Sequence, residues 1–178
     1  MSIAARSRVS EAKFLSLPES LEKNELIDGE VIVSPRPSFW HQEILRRILL
    51  ELGTWAAGRP DVTVARAPLD VRFGPNRILQ PDAMVFLIRI GRGEVGPIDR
   101  VPEICIEVLS SNRAYDRVTK RFLYAEAGVS EYWLLDAGGA VERWSGPGLA
   151  TNELLGDRLS SPLLPGFELD VGRLFADM

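Results

Sequence analysis

Two apolar stretches separated by a predicted helix constrain the fold of this chain more than any other feature. The first is Glu103-Ile-Cys-Ile-Glu-Val-Leu109 and the second is Glu131-Tyr-Trp-Leu-Leu-Asp136, and both are apolar at nearly every position. Such runs are typical of strands that are buried on both faces of a sheet. Between them, Asn112 can cap a helix over about 113–127, and Gly128 can end it. This order predicts neighbouring strands and a packed helix inside an α/β domain.

The helix between the two strands is predicted to pack through four residues at helical spacing: Tyr115, Val118, Phe122 and Ala125. Lys120 lies two positions from Val118 and from Phe122, so we expect it off that stripe, at the edge between helix and sheet. Asp116 and Lys120 are separated by four residues and therefore share a helix face. The simplest interpretation of that pair is a surface ion pair.

The other elements complete a mixed pattern of strands and helices. Asp28-Gly29 between apolar flanks predicts a hairpin within residues 25–33. Ser38 is a predicted cap for a helix over about 39–57. Further strands are predicted at 61–66, 69–73, 82–88 and 140–144, and a turn of helix near 171–176. The predicted fold class is therefore α/β, with a central mixed β-sheet flanked by helices. Residues 1–23 are predicted to be a partly helical N-terminal segment and residues 24–178 a single domain.

Composition excludes several classes of protein. The formal net charge of −4 excludes a protein that coats nucleic acid by charge alone, because such domains are usually basic. The longest apolar runs are about six residues, far short of the roughly 18 to 20 that cross a bilayer. The only cysteine is Cys105, so no intrachain disulfide can form, and we expect a reducing, cytoplasmic location.

Two carboxylates within the predicted strands mark a candidate site. Asp82 opens the apolar run 82–88, and Glu107 interrupts the run 103–109. An ionised carboxylate in a buried strand is costly unless it is paired or binds a metal. Two such groups on neighbouring strands repel each other unless a cation lies between them, and Mg²⁺ is held by one or two carboxylates. We therefore predict a metal site, with the Lys120 ammonium as a third element.

Each candidate also has a simpler interpretation. Asp82 follows Pro81 and could be a turn residue. Glu107 could pair with a structural arginine. His41 could be a histidine satisfied at the start of its helix, and Glu30, just past the hairpin turn, could be a solvated strand residue. The order of these residues along the chain is more specific than any one of them.

That order resembles the Uma2 family, which belongs to the PD-(D/E)XK nuclease superfamily. The matching segments are Glu25-Leu-Ile-Asp-Gly-Glu30, His41, Pro81-Asp82, Pro102-Glu-Ile-Cys-Ile-Glu-Val-Leu-Ser110, Asp116-Arg-Val-Thr-Lys120 and Tyr124-Ala-Glu-Ala-Gly-Val-Ser-Glu-Tyr-Trp-Leu-Leu-Asp136. The similarity covers about residues 20–170.

The resemblance implies a PD-(D/E)XK nuclease-like core with a metal-dependent site at one edge of the sheet. By position, Asp82 corresponds to the aspartate of the first motif and Glu107 to the acidic residue of the second. The superfamily's usual lysine would stand at position 109, which is Leu109 here, and the family instead places a lysine on the next helix, at Lys120. Glu30 and His41 match family positions that line the same site.

The leading hypothesis is a Mg²⁺- or Mn²⁺-dependent endonuclease that hydrolyses DNA with a metal-activated water. Asp82 and Glu107 would hold the metal with the backbone carbonyl of Val108, while Lys120 orients the water or stabilises developing charge. His41 and Glu30 would support the metal or the substrate. An alternative is a catalytically inactive module on the same fold, for dimerisation or nucleic-acid binding. A third is a phosphoesterase for small nucleotides.

Arginines on the second predicted helix are candidate phosphate contacts. Arg113, Arg117 and Arg121 recur every four residues and make a stripe, which could equally be a solvated basic face. DNA is the expected partner. One chain cuts one strand most simply, so cleavage of a duplex predicts a homodimer.

Overall fold

The computed structural model describes residues 8–18 and 22–176 of the chain. The α-helices in that part are α1 (Glu11–Leu15), α2 (Phe39–Ala56), α3 (Arg121–Ala127) and α4 (Val171–Leu174). The strands are β1 (Asn24–Ile27), β2 (Glu30–Val33), β3 (Thr63–Arg66), β4 (Val71–Gly74), β5 (Arg77–Leu79), β6 (Ala83–Phe86), β7 (Ile104–Val108), β8 (Glu131–Asp136), β9 (Ala140–Ser145), β10 (Thr151–Leu155), β11 (Arg158–Ser160) and β12 (Glu168–Asp170). A π-helical segment, Tyr115–Lys120, leads directly into α3.

The central sheet has six strands in the order β10-β9-β8-β7-β6-β3. Strands β7 and β8 are parallel and the other neighbours are antiparallel, so the sheet is mixed as predicted. A four-stranded sheet, in the order β2-β1-β5-β4, and a two-stranded pair, β11-β12, complete the fold. The two runs predicted to be buried are the two parallel strands, because a π/α-helical crossover of suitable length separates them.

Helix α2 covers one face of the central sheet. Ser38 caps it by accepting a hydrogen bond from the backbone N–H of His41, as its sequence predicts. The apolar stripe of α2, seen in Ile44, Ile48 and Leu52, packs against alternate residues of the strands, such as Val85 and Ile106. The remaining residues of β6 and β7, including Met84 and Cys105, face α3 and the four-stranded sheet.

Strand register places Asp82 opposite Glu107. Ala83 pairs with Ile106 and Met84 with Cys105 in the antiparallel ladder between β6 and β7. One step further along that ladder, Asp82 precedes β6 just where Glu107 lies on β7. Because side chains alternate between the faces of a strand, both carboxylates point to the face that α3 covers. The predicted meeting of two strand carboxylates thus follows from register and alternation.

The predicted hairpin is formed by β1 and β2. Asp28 and Gly29 connect these strands with positive φ values of 50° and 90°, the conformation that a two-residue hairpin turn requires. Strand β1 also pairs with β5, a short strand that the sequence did not predict. Phe14 of α1 packs against this sheet at Leu26 and Ile78. Residues 1–7 and 19–21 of the predicted N-terminal segment lie outside the described residues.

The predicted packing face of the second helix is wrong. Val118 and Phe122 are 61% and 57% exposed, whereas Asp116 and Lys120 are buried together with Leu123 and Tyr124. The prediction counted apolar residues only, but the face that packs on the sheet is largely polar because it contributes to a buried cluster. Gly128 ends the helix in the left-handed conformation, as expected.

The C-terminal turn of helix predicted near 171–176 is α4. Helix α2, with 18 residues, is the longest in the described part of the chain, and none of the helices there is both long enough and apolar enough to cross a bilayer.

Candidate active site

A cavity of about 510 Å³ opens at the carboxyl end of β7. Its walls come from the segment before β1, the start of α2, the start of β6, the end of β7 and the π-helical segment. Among its lining residues are Lys23, His41, Asp82, Glu107 and Lys120. Three predicted site residues from distant parts of the sequence, Asp82, Glu107 and Lys120, are therefore brought together with His41.

Asp82 is fixed by three different donors. Its Oδ2 atom accepts a hydrogen bond from the backbone N–H of Val108 at 3.0 Å and lies 3.1 Å from Nε2 of His41. Its Oδ1 atom accepts from Nζ of Lys23 at 3.0 Å. The contact that Val108 makes is thus through its N–H, and a role for its carbonyl stays a prediction. The pKa of Asp82 is lowered, because Lys23, His41 and Lys120 together outweigh the effect of burial.

Glu107 is held by two donors on one oxygen. Its Oε1 atom accepts hydrogen bonds from Nζ of Lys120 at 2.8 Å and from the hydroxyl of Tyr124 at 2.7 Å. Its Oε2 atom lies 3.5 Å from Nζ of Lys23. Burial raises the pKa of Glu107 to about 7, against the lowering effect of Lys120 and Lys23.

Lys23 is the cation between the two strand carboxylates, and no sequence pattern predicts this role. Its Nζ contacts both Asp82 and Glu107, which lie on different strands. Lys23 precedes β1 directly and is outside every motif that the sequence displays. Its side chain lines the cavity and is 19% exposed, whereas that of Lys120 is 2% exposed.

Lys120 lies deeper and has more acidic neighbours. Its side chain is 2% exposed, and its Nζ lies 3.7 Å from Oε1 of Glu25 and 3.9 Å from Oδ1 of Asp116, in addition to Glu107. Burial alone would lower the pKa of Lys120, but Glu107, Glu25 and the other carboxylates raise it well above its usual value. The ammonium therefore keeps its proton and acts as a fixed positive charge.

The glutamate that the hairpin contributes to this buried cluster is Glu25 and not Glu30. Glu25 is completely buried and accepts hydrogen bonds from the backbone N–H of Gln80 and from the hydroxyl of Tyr115, both at 2.9 Å. Glu30, on the neighbouring strand, is exposed, and neither glutamate is among the residues that line the cavity. Both glutamates lie within the matching hairpin segment, and no local pattern in the sequence distinguishes the buried one from the exposed one.

The three arginines of the predicted stripe are engaged elsewhere. Arg113 pairs with Asp136, and Arg117 pairs with Glu142. The guanidinium of Arg121 stacks over the ring of Trp144, at 4.1 Å from its centroid. None of the three is among the residues that line the cavity. Their predicted contact with nucleic acid therefore has no support from their placement.

The buried cluster carries more acid than base. Four carboxyl groups, those of Glu25, Asp82, Glu107 and Asp116, surround the two ammonium groups of Lys23 and Lys120. When all of them are ionised, this cluster holds two uncompensated negative charges, leaving His41 aside. Nδ1 of His41 is also buried and has no hydrogen-bond partner among the described residues. An excess of this size and a free ring nitrogen match what a divalent cation and its water ligands would supply.

Within the described ranges, no group of three or more histidine, cysteine, aspartate and glutamate side chains converges closely enough to hold a metal ion by itself. The donor set of Asp82 and Glu107 is nevertheless the kind that Mg²⁺ uses. This ion keeps several water ligands and needs only one or two carboxylates, with the rest supplied by substrate phosphate. The Lys23 ammonium shows that a cation fits between these two carboxylates.

Comparisons with known proteins give a consistent result. A family model described as "Uma2: Putative restriction endonuclease" matches residues 12–172. Among solved structures, a protein from Anabaena variabilis ATCC 29413, described as "a putative nuclease belonging to DUF820", is similar with a TM-score of 0.78 and 25% identity. That match covers 94% of this chain and 97% of the other. No curated protein matches the sequence.

Proposed function

The chain belongs to the Uma2 family of restriction-endonuclease-like proteins, and from that premise we propose that it is a divalent-metal-dependent endonuclease acting on DNA. The observation that carries this proposal is the approach of Asp82 and Glu107 to one shared cation, the Lys23 ammonium, inside a cavity. Asp82 and Glu107 would hold the metal, and His41 would hold Asp82 in place. The cation expected there is Mg²⁺ or Mn²⁺.

The residues of the site have distinct tasks in phosphodiester hydrolysis. A bound divalent cation would supply Lewis-acid polarisation of the phosphate and would lower the pKa of a water molecule. The Val108 N–H and His41 fix the Asp82 carboxylate from one side, so that its other oxygen is directed to the cation position. Lys120 and Tyr124 fix Glu107 in the same way, because both donate to one oxygen and leave the other toward the cavity.

Lys120 serves as a positive charge and not as a base. Its pKa is raised well above the usual lysine value, so its ammonium keeps the proton throughout the neutral range. A fixed positive charge next to the metal ligands stabilises the negative charge that develops on phosphate in the transition state. The Tyr124 hydroxyl likewise stays protonated, because burial raises its pKa.

The experiment that tests the proposal is nicking of supercoiled plasmid DNA by the full chain, with Mg²⁺, Mn²⁺ or EDTA. We expect cleavage that requires the metal and that Asp82→Asn and Lys120→Met abolish. Lys13→Met is the matched control, because it removes the same charge from an exposed lysine on α1. If Asp82→Asn and Lys120→Met both cut as well as the parent, the assignment of the site is wrong. Cleavage of a dinucleotide, but not of plasmid, would support a small-nucleotide phosphoesterase instead.

The inactive-module alternative has one observation in its favour. Lys23 already neutralises part of the charge of Asp82 and Glu107, so the cluster holds a cation of its own. Calorimetric titration with Mn²⁺ separates the two functions, since a module without catalytic function would bind no metal at millimolar concentration while remaining folded.

Cleavage of both DNA strands would further require two sites, and we extend the proposal to a homodimer for that activity. Light scattering coupled to size-exclusion chromatography measures the mass in solution. A monomer that nicks only one strand would limit the proposal to single-strand cleavage.

A further inference from the structure

The two lysines of the buried cluster differ in how firmly they are held. Lys120 has a side chain that is 2% exposed and touches three carboxylates from three elements. Lys23 touches two carboxylates and is 19% exposed at the cavity surface. Its flexible four-carbon stem allows the ammonium to move into the cavity without a change in the backbone. Lys23 is therefore the cation of this cluster that can leave.

The position of the Lys23 ammonium coincides with the position that a metal needs. It contacts Oδ1 of Asp82 and Oε2 of Glu107, whereas Oε1 of Glu107 is already used by Lys120 and Tyr124. The two oxygens that remain for a metal are thus the ones that Lys23 contacts. An ammonium and a divalent cation cannot occupy this position together, because like charges at contact distance in a buried site repel strongly.

We propose that Lys23 is an intrinsic competitor for the divalent cation, which occupies the gap between Asp82 and Glu107 in the metal-free protein and must swing into the cavity before metal binds. This inference rests on the proposed metal-dependent function. Lys23 stabilises the pair of carboxylates when no metal is present and weakens metal affinity by the same contacts. The site therefore fills only when the metal concentration is high enough to displace the ammonium.

The test is calorimetric titration of the full chain with Mn²⁺ alone, without DNA. Lys23→Met removes the competing charge and keeps most of the side-chain length, so we expect Mn²⁺ affinity to rise by about tenfold or more. Lys23→Arg keeps a cation between the carboxylates and should bind no more tightly than the parent. Lys13→Met, the matched control outside the site, should leave the affinity unchanged.

A thermal readout keeps the proposal testable if Lys23→Met folds poorly. Without metal, Lys23→Met should melt below the parent, because two carboxylates have lost their shared cation. Saturating Mn²⁺ should then raise its melting temperature by more than it raises that of the parent. Lys23→Gln, which keeps a hydrogen-bond donor without the charge, should show the same pattern in a milder form.

The possible outcomes separate this inference from the proposed function. Equal or weaker Mn²⁺ binding by Lys23→Met than by the parent overturns the competitor role while leaving the nuclease proposal in place. No Mn²⁺ binding by the parent, Lys23→Met or Lys23→Gln overturns both. Tight binding that survives in the double variant Lys23→Met/Glu107→Gln would place the metal elsewhere and would also overturn the inference.

Discussion

Glu107 and Glu131 lie on neighbouring parallel strands and are almost equally buried, at 1% and 3% exposure, yet their surroundings differ completely. Glu107 lies at the end of β7 on the face that α3 covers, among three other carboxylates and two ammonium groups. Glu131 begins β8 on the face that α2 covers, where it accepts hydrogen bonds from the indole N–H of Trp133 at 2.8 Å and the hydroxyl of Ser161 at 2.9 Å.

The surroundings of Glu107 and Glu131 show how a carboxylate at a candidate site differs from a structural one. Both glutamates interrupt buried strands, so burial alone does not identify a functional acid. Neutral donors satisfy Glu131 locally, and this arrangement ties β8 to the segment around Ser161. Around Glu107, the carboxylates outnumber the ammonium groups, and the proposed metal site rests on this imbalance of charge.

Removal of the most deeply buried ammonium group should have the largest effect on the Glu107 cluster. Lys120→Met leaves Glu107, Glu25 and Asp116 without their shared ammonium, and we expect it to lower the free energy of unfolding by about 3–5 kcal/mol. Urea unfolding measures this, with Lys13→Met as the control that changes stability by less than about 0.5 kcal/mol. Equal midpoints for the two variants would show that the Lys120 charge is not needed for folding.

The nuclease assay compares the two glutamates directly, through Glu107→Gln and Glu131→Gln. Glu107→Gln should reduce metal-dependent cleavage by at least about 100-fold, because it removes a charged ligand from the proposed metal. Glu131→Gln should leave the rate within a few-fold of the parent, since that side chain lies on the opposite face of the sheet. Comparable losses in both variants would mean that Glu107 acts only through stability.

The effect of Mg²⁺ on the free energy of unfolding also distinguishes the two glutamates. At 100 times its dissociation constant, Mg²⁺ should stabilise the parent and Glu131→Gln by about 2.7 kcal/mol, and EDTA should reverse the effect. Glu107→Gln should gain no stability from the metal, because the proposed ligand is missing. Thermal unfolding followed by circular dichroism measures the shift. A shift of equal size in all three proteins would point to a metal site away from Glu107.

A third carboxylate, that of Asp136, pairs with the half-exposed Arg113, and this pair should contribute least to stability. Arg113 lowers the pKa of Asp136 at the far end of β8, so this pair stabilises the fold above the unfolded-state pKa of aspartate, about 3.9. That contribution disappears as the pH falls through the lowered pKa. Since the Arg113 side chain is half exposed, we expect about 0.2–1 kcal/mol. The parent should exceed Arg113→Gln in urea stability at pH 6, by a margin that decreases as the pH falls below about 3.9, and a constant difference would contradict this.

Much of the scaffold of the site could be predicted because it depends on local pattern. The two apolar runs, the Asp28-Gly29 turn and the Ser38 cap each leave a signal within a few residues, and the structure has the corresponding elements. The approach of Asp82 to Glu107 could also be anticipated, since two charged groups inside apolar strands need a common solution.

What could not be predicted depends on contacts without a local signal. Lys23 joins the cluster from a segment of no particular pattern, and its partner Asp82 lies 59 residues away. The packing face predicted for the helix after β7 is wrong because the charged residues Asp116 and Lys120 lie on its buried side, whereas the pattern counts apolar residues only. Glu25 was missed for the same reason, since a buried charge looks like a solvated one in sequence.

In the π-helical turn Tyr115–Lys120, the number of residues matters as much as their identity. Asp116, Lys120 and Tyr124 follow one another at intervals of four residues and face the same cluster across the change from this turn to the regular helix. Deleting the exposed Val118 would sacrifice little buried surface, yet it would offset the two parts of the helix by about 100°. A deletion in this turn should therefore disturb the site more than the small loss of buried surface suggests, although it spares every side chain of the cluster.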